Sequence, residues 1–309
     1  MIKKNIPIAK VDLNKNEINS VLEPLKNGWL VQGPKVKEFE EKWSKFTNSR
    51  FSIAVTSCTS ALQLSLVALN FKPGDEVVVP AFTWISSANV VEQLGGKVIF
   101  CDIDLKSFNI DVDQIEKKIT KKTRFIIPVH LFGLPADMTK ILNIARKYDL
   151  KIVEDAACGF GTKIHNKHVG LFGDLGCFSF HPRKSITTGE GGMITTQDPN
   201  LNKKLRRLRD HGAAATDLQR HSSKKPYLLA DHLDAGYNQR MTDIQGALGS
   251  EQMKRANSIL NKRRVISSKY FNLLKEIDWL ILPSQRDGFF HSFQSFPCLF
   301  KPKNINYTN

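Results

Sequence analysis

From Phe51 to Thr196 short runs of β-type residues alternate with helical patterns, and this alternation narrows the fold more than any other feature. Strands separated by helices of roughly ten residues build a largely parallel sheet wrapped by helices, so the fold class is α/β. The expected strands are residues 52–56, 76–80, 97–101, 124–129, 151–155, 176–180 and 192–196, and the expected helices 59–70, 86–94, 113–119, 137–148 and 200–209. Chemistry in such a sheet collects at the carboxyl ends of the strands. Ser57, Trp84 and Asp155 all fall at or just past such ends, as expected for one shared site.

Two helices flanking the turn-rich Gly28-Trp-Leu-Val-Gln-Gly-Pro34 are expected over residues 16–46. After Met241 one long helical pattern runs to Leu274 and links the main domain to a smaller part, with one or two strands after Trp279. The expected division is a large domain over residues 1–250 and a linking helix with the start of a small C-terminal α+β domain over 251–309.

With 309 residues, 41% of them hydrophobic, the chain can bury a full core. No apolar run approaches the roughly 20 residues needed to cross a bilayer, and the first ten residues lack the hydrophobic region of a signal peptide. A cytoplasmic protein without a membrane partner is the expectation. The five cysteines are scattered and include no Cys-x-x-Cys pair, so free thiols are expected rather than disulfides or a metal site.

The formal charge is +15, and residues 200–270 hold 15 Lys and Arg against 6 Asp and Glu. Helical spacing with interleaved apolar residues, as in Lys203-Lys-Leu-Arg-Arg-Leu-Arg209, reads as a solvated helix face. No nucleic-acid module accompanies the charge, so a nucleic-acid partner is not expected. A basic surface also suits a substrate bearing a diphosphate.

Several segments carry chemistry. Asp155 closes an apolar strand, where a carboxylate is costly without a partner. Lys184 follows about thirty residues later in Cys177-Phe-Ser-Phe-His-Pro-Arg-Lys184, ahead of Thr187-Thr-Gly-Glu-Gly-Gly192. A lysine amine can form a Schiff base with the aldehyde of pyridoxal 5'-phosphate (PLP), while a carboxylate across the ring holds the pyridine nitrogen protonated. Taken singly, Asp155 fits equally a bond to a backbone amide, and Lys184 a surface lysine. A P-loop is excluded because the glycines follow the lysine; they are expected to form a tight turn that lets backbone approach a bound ring. Thr59 and Ser60 open a helix after Val55-Thr-Ser-Cys58, where backbone amides and the helix dipole can hold a phosphate, although such residues are also ordinary N-caps. Trp84 can stack on a pyridine ring, or simply belong to the core.

The ordered set Ser57-Cys-Thr-Ser-Ala-Leu, Pro73-Gly-Asp-Glu-Val, Thr83-Trp, Pro128-Val-His130, Glu154-Asp-Ala-Ala157, Phe178-Ser-Phe-His-Pro-Arg-Lys184, Thr188-Gly-Glu-Gly-Gly192 and Gly236-Tyr-Asn-Gln-Arg-Met241 resembles the DegT/DnrJ/EryC1/StrS sugar aminotransferases, from Ile6 to about Tyr270. The resemblance implies a PLP-dependent transferase of fold type I. Such an enzyme works as a homodimer and moves an amino group, usually from L-glutamate, to a nucleotide-linked keto sugar for amino-sugar and surface polysaccharide synthesis. It further implies that Lys184 is the Schiff-base lysine and proton shuttle, Asp155 the pyridinium partner and Trp84 the stacking residue. Thr59, Ser60 and Ser179 become phosphate ligands, and Asn238 a residue that reaches the neighbouring subunit's phosphate. Cys158 stands where a His or Gln commonly contacts the cofactor 3' oxygen, and Cys58 where glycine is frequent. Lys184 argues against the dehydratase branch, which has histidine there. Family chains continue well past His291-Ser-Phe-Gln-Ser-Phe296, so the resemblance implies an incomplete small domain and leaves a non-catalytic PLP-binding relative as the alternative. The sugar, its nucleotide and the carbon aminated are not legible in the sequence.

Overall fold

The computed structural model describes residues 7–215, 219 and 231–301. The outer ends of the first and last expected segments, and residues 216–218 and 220–230 of the basic stretch, lie outside the described residues.

Helices α1 (Lys15–Ser20), α2 (Leu22–Asn27) and α3 (Pro34–Thr47) precede the sheet. Three helices therefore stand where two were expected, because the chain breaks at Val21. The start of α1 is a capping box: the Asn14 side chain accepts from the N–H groups of Asn16 and Glu17, and the Glu17 carboxylate accepts from Asn14 N–H at 2.6 Å. At the end of α2, Gly28 takes the left-handed conformation. The first turn of α3 is capped from far away, by Asp243 accepting the N–H groups of Gly33, Lys35 and Val36 at 2.8–3.0 Å.

The expected alternation follows: β1 (Phe51–Val55), α4 (Cys58–Ala68), β2 (Glu76–Pro80), α5 (Ser86–Gln93), β3 (Lys97–Cys101), α6 (Val112–Lys118), β4 (Thr123–Ile126), α7 (Met138–Tyr148) and β5 (Lys151–Asp155). A short hairpin, β6 (Lys163–Ile164) and β7 (Lys167–His168), leads to β8 (Leu175–Ser179), β9 (Gly192–Thr196) and α8 (Pro199–Arg209). Seven strands form one sheet in the order β1-β9-β8-β5-β4-β2-β3. Neighbours from β3 through β8 pair in parallel, and β9 runs antiparallel to both β8 and β1. The fold is the mostly parallel, helix-wrapped sheet of the α/β class.

Both faces of the sheet are covered, which is why β2 and β9 are buried at every position. On one face Val55, Val79 and Val153 pack with Leu62 of α4 and Val90 of α5. On the other, Val78, Ile126 and Ile152 meet Ile115 of α6 and Ile141 of α7, while Trp43 and Phe39 of α3 pack on Phe178 and Met193. Strand β4 is shorter than expected because Pro128 brings no N–H to the ladder, and pairing resumes only as a single bridge from Val129 to Asp155.

The expected long helix after Met241 is two helices, α9 (Asp243–Lys254) and α10 (Ala256–Leu274). Neither glycine nor proline marks the break. At its centre Arg255 leaves helical geometry, and its guanidinium bonds Asp12 at 3.0 Å and Glu17 at 3.3 Å. Beyond α10 the strands are two residues each: β10 (Leu280–Ile281), β11 (Phe289–Phe290) and β12 (Leu299–Phe300). β10 pairs with β12, and β11 adds to the β6–β7 hairpin, so the C-terminal segment is stitched onto the main sheet domain.

Candidate active site

Strand β5 ends in two adjacent carboxylates that point to opposite faces of the sheet. Glu154 is fully buried and saturated, accepting from His130 Nε2 at 2.9 Å and from the N–H groups of Gly170, Phe172 and Gly173 at 2.6–2.7 Å. These donors hold its carboxyl below the usual range against the opposing pull of burial. Asp155, 4% exposed, takes two donors among the described residues: the Ser87 hydroxyl at 2.7 Å on Oδ2 and the Ala157 N–H at 3.0 Å on Oδ1. Among the described residues no cation bonds Asp155; the Lys184 amine feels its charge but donates to Cys158 instead. A buried carboxylate with lone pairs to spare, to which no cation of the described residues is bonded, is the group a protonated pyridine nitrogen would complete.

Lys184 lies in the loop between β8 and β9. Its backbone N–H donates to the His181 carbonyl at 2.8 Å, and the Thr187 hydroxyl and Thr188 N–H both return to the Phe180 carbonyl. The Lys184 ammonium donates to Cys158 Sγ at 3.2 Å. Burial pulls the amine down, but the Cys158 sulfur, Cys58 and Asp155 outweigh it, and the net direction is above the ordinary lysine value. The same neighbours place Cys58 in this cluster, where burial, followed by Asp155, drives its thiol well above the usual range.

The third wall is the start of α4. Ser57 is its N-cap, accepting the Ser60 N–H at 3.0 Å, and the hydroxyls of Thr56 and Ser57 lie 2.9 and 3.0 Å from that of Ser60. Thr59 is exposed on the same first turn, whose outer N–H groups have no intrahelical acceptor. Gly189 turns in the left-handed region, in line with the tight turn expected of the glycine run, and Gly192 lies so close to Ser57 that a Cβ there would meet the Ser57 carbonyl oxygen at 2.4 Å. Gly192 brings the start of α4 against β9. Ser179, at the end of β8, accepts the His181 N–H at 3.3 Å in the turn leading to Lys184.

Trp84 presents an indole 74% exposed, which rules out the core alternative and leaves its faces open. Asn238 is exposed on a segment tied to the end of β1 through the Val55–Arg240 bridge and the Thr56 N–H bond to the Gln239 carbonyl at 3.1 Å. Sequence reasoning missed Ser87, the capping role of Ser57 and the Thr56 hydroxyl. For Ser87 the one local signal is its place three residues after Trp84, in the first turn of the next helix.

This sheet, a lysine in the β8–β9 loop and a buried carboxylate at the end of β5 to which no cation of the described residues is bonded are the features of the PLP-dependent transferases of fold type I. The comparisons narrow the class. The model of the DegT/DnrJ/EryC1/StrS aminotransferase family matches residues 11–308, well beyond the limit near residue 270 set by the motifs, and the chain belongs to that family. It is 37% identical to the spore coat polysaccharide biosynthesis protein SpsC of Bacillus subtilis, over 98% of this chain and 78% of that protein. It is 34% identical to the UDP-4-amino-4-deoxy-L-arabinose--oxoglutarate aminotransferase of Shewanella sediminis, over 90% and 71% of the two chains. Among solved structures it resembles the PMP form of the putative sugar aminotransferase Spr1654 of Streptococcus pneumoniae, with a TM-score of 0.90 and 30% identity over 96% of this chain and 79% of that one. The same protein has also been solved in a PLP form, with a TM-score of 0.88. The cofactor is PLP, and the chain is a sugar aminotransferase by family.

Proposed function

We propose that the chain transfers an amino group from L-glutamate to a keto sugar linked to a nucleoside diphosphate, making an amino sugar for a surface polysaccharide or similar glycoconjugate. The carrying observation is the pairing, among the described residues, of a lysine amine that donates to a thiol with a buried carboxylate to which no cation is bonded, both at the carboxyl ends of one parallel sheet. PLP, when bound, supplies an electrophilic carbon for the amino group and a ring that takes up the electron pair left when a proton is removed beside the nitrogen.

The chain's own residues divide the remaining work. Lys184 Nζ holds the cofactor covalently between turnovers, then takes and returns the proton at the reacting carbon, a task suited to an amine held near thiols rather than paired to a carboxylate. Asp155 balances the protonated ring nitrogen, and the exposed indole of Trp84 covers one ring face. The first turn of α4, with Thr59 and Ser60, and Ser179 bind the phosphate. Cys158, already 3.2 Å from the amine, lies beside the ring, where a thiol is a weaker donor than histidine or glutamine. Exposed Asn238 is available to a second copy, which supports a homodimer with sites shared across the two-fold axis. The excess of positive charge over residues 200–270 suits a diphosphate. Among the described residues no helix is long and apolar enough to cross a membrane, in keeping with a cytoplasmic site of action. Residues 1–250 form the cofactor domain in this reading, and 251–309 the smaller part.

Purified protein incubated with PLP and reduced with borohydride should carry its pyridoxyl tag on Lys184 alone, and Lys184→Ala should carry none. Loss of the visible band on adding L-glutamate, followed by its return with a nucleotide-linked keto sugar, completes the expected result. A tag at another lysine would refute the assignment. Tagged protein indifferent to every donor would favour cofactor binding without transfer.

A further inference from the structure

A serine in the first turn of a helix ordinarily bonds its own backbone. Ser87 has that option: its hydroxyl lies 3.3 Å from the Trp84 carbonyl and 3.4 Å from the Thr83 hydroxyl. Its shortest contact, however, is 2.7 Å to Asp155 Oδ2, the length of an O–H bond to a charged oxygen. Ser87 is fully buried, so no water competes for the carboxylate at that position. The Ala157 N–H fixes the other oxygen at 3.0 Å. One donor on each oxygen sets the plane of the carboxylate and leaves the remaining lone pairs directed. Ser87 also belongs to the turn that presents Trp84, since its N–H donates to the Trp84 carbonyl at 3.2 Å. A single residue therefore joins the carboxylate of β5 to the loop carrying the exposed indole.

We propose that Ser87 is a positioning residue for the cofactor, acting through Asp155: it holds the carboxylate in the orientation that pairs with the ring nitrogen, and keeps that carboxylate in register with Trp84. The proposal rests on the assignment of Asp155 above. Removing the hydroxyl leaves Oδ2 without its donor and the carboxylate free to turn, so the ring nitrogen loses part of its counter-charge. A weaker positive charge on the ring repels the proton on the Lys184–cofactor linkage less, and that proton is then released at higher pH.

The experiment compares wild-type protein with Ser87→Ala, Ser87→Thr and Asp155→Asn, each stripped of cofactor and retitrated with PLP. Two quantities are read: the dissociation constant, and the pH midpoint of the visible band of the bound cofactor. Ser87→Ala should bind PLP about tenfold more weakly, the scale of one lost hydrogen bond to a charged group. Its midpoint should move upward in the same direction as that of Asp155→Asn, and Ser87→Thr, which keeps the hydroxyl, should restore both. A packing role alone would lower thermal stability without moving the midpoint. A Ser87→Ala midpoint and affinity equal to wild type, with Asp155→Asn shifted, would overturn the proposal and leave the Asp155 assignment standing. An unshifted Asp155→Asn would overturn both.

Discussion

His168 offers a perturbation whose size follows from the geometry. The ring is 2% exposed, packed at 6.0 Å from Phe46 and 5.7 Å from Phe178. Its Nδ1 donates to the Val169 carbonyl at 2.7 Å, and its Nε2 accepts the Gly161 N–H at 2.9 Å. Burial disfavours the charged ring and pulls it from 6.5 to about 4, and a proton on Nε2 would in addition face the Gly161 N–H. The unfolded chain takes up this proton near the ordinary value, so between the two values it holds more protons than the folded chain, and stability falls as pH falls. The loss at about pH 5 is about 2 kcal/mol, growing to about 3 kcal/mol once the pH drops below about 4. Gln in place of His168 can accept from Gly161 and donate to Val169 without titrating. Urea unfolding of wild type and His168→Gln at about pH 7.5 and about pH 5 isolates the effect, because His291, also pulled down to about 4 by burial, remains in both. The wild type should lose about 2 kcal/mol more than the variant over this interval. Equal losses would refute the argument. The consequence reaches the site, since the Gly161 N–H held by His168 lies three residues beyond Cys158.

Two further outcomes follow from buried charge. Glu40 accepts from Arg209 at 2.7 Å, Arg206 at 2.8 Å and the Ala54 N–H at 2.9 Å, and Arg209 is 1% exposed. Glu40→Gln strands the guanidinium and should cost about 3–5 kcal/mol in unfolding free energy, whereas a loss below about 1 kcal/mol would show that the cation finds another partner. Lys184 must shed its proton before it can attack the PLP aldehyde, and its proton is held more tightly than that of an ordinary lysine. Covalent capture of PLP by cofactor-free protein, followed by borohydride trapping over time, should accelerate by about tenfold per pH unit between about pH 7 and about pH 9. A flat profile would mean that the amine is already neutral.

Much of the fold was legible because its determinants are local. The alternation of strand-like and helical runs placed every strand of the main sheet to within a few residues. What escaped is non-local. The break at Arg255 has no glycine or proline to announce it; the ion pairs at that break are with Asp12 and Glu17, more than 200 positions away in the chain. The Lys184–Cys158 contact spans 26 residues and the Ser87–Asp155 bond 68, and no spacing rule connects either pair.

Glu154 and Asp155 show what residue type alone leaves open. Either carboxylate, read in sequence, is equally awkward at the end of an apolar strand, and Glu154 is the more deeply buried of the two. The strand's alternation sends them to opposite faces. On the Glu154 side, His130, whose Nδ1 accepts the Ala136 N–H and so leaves Nε2–H to donate, joins three backbone N–H groups from residues 170–173 and fills the carboxylate. On the Asp155 side, among the described residues, only Ser87 and Ala157 donate. A saturated carboxylate secures loops and has nothing left for a ligand, while one with two donors retains lone pairs for one. It is therefore the number of donors already committed to each, rather than burial or residue type, that makes Asp155 the group open to a cofactor and Glu154 the anchor that holds β5 in place beneath it.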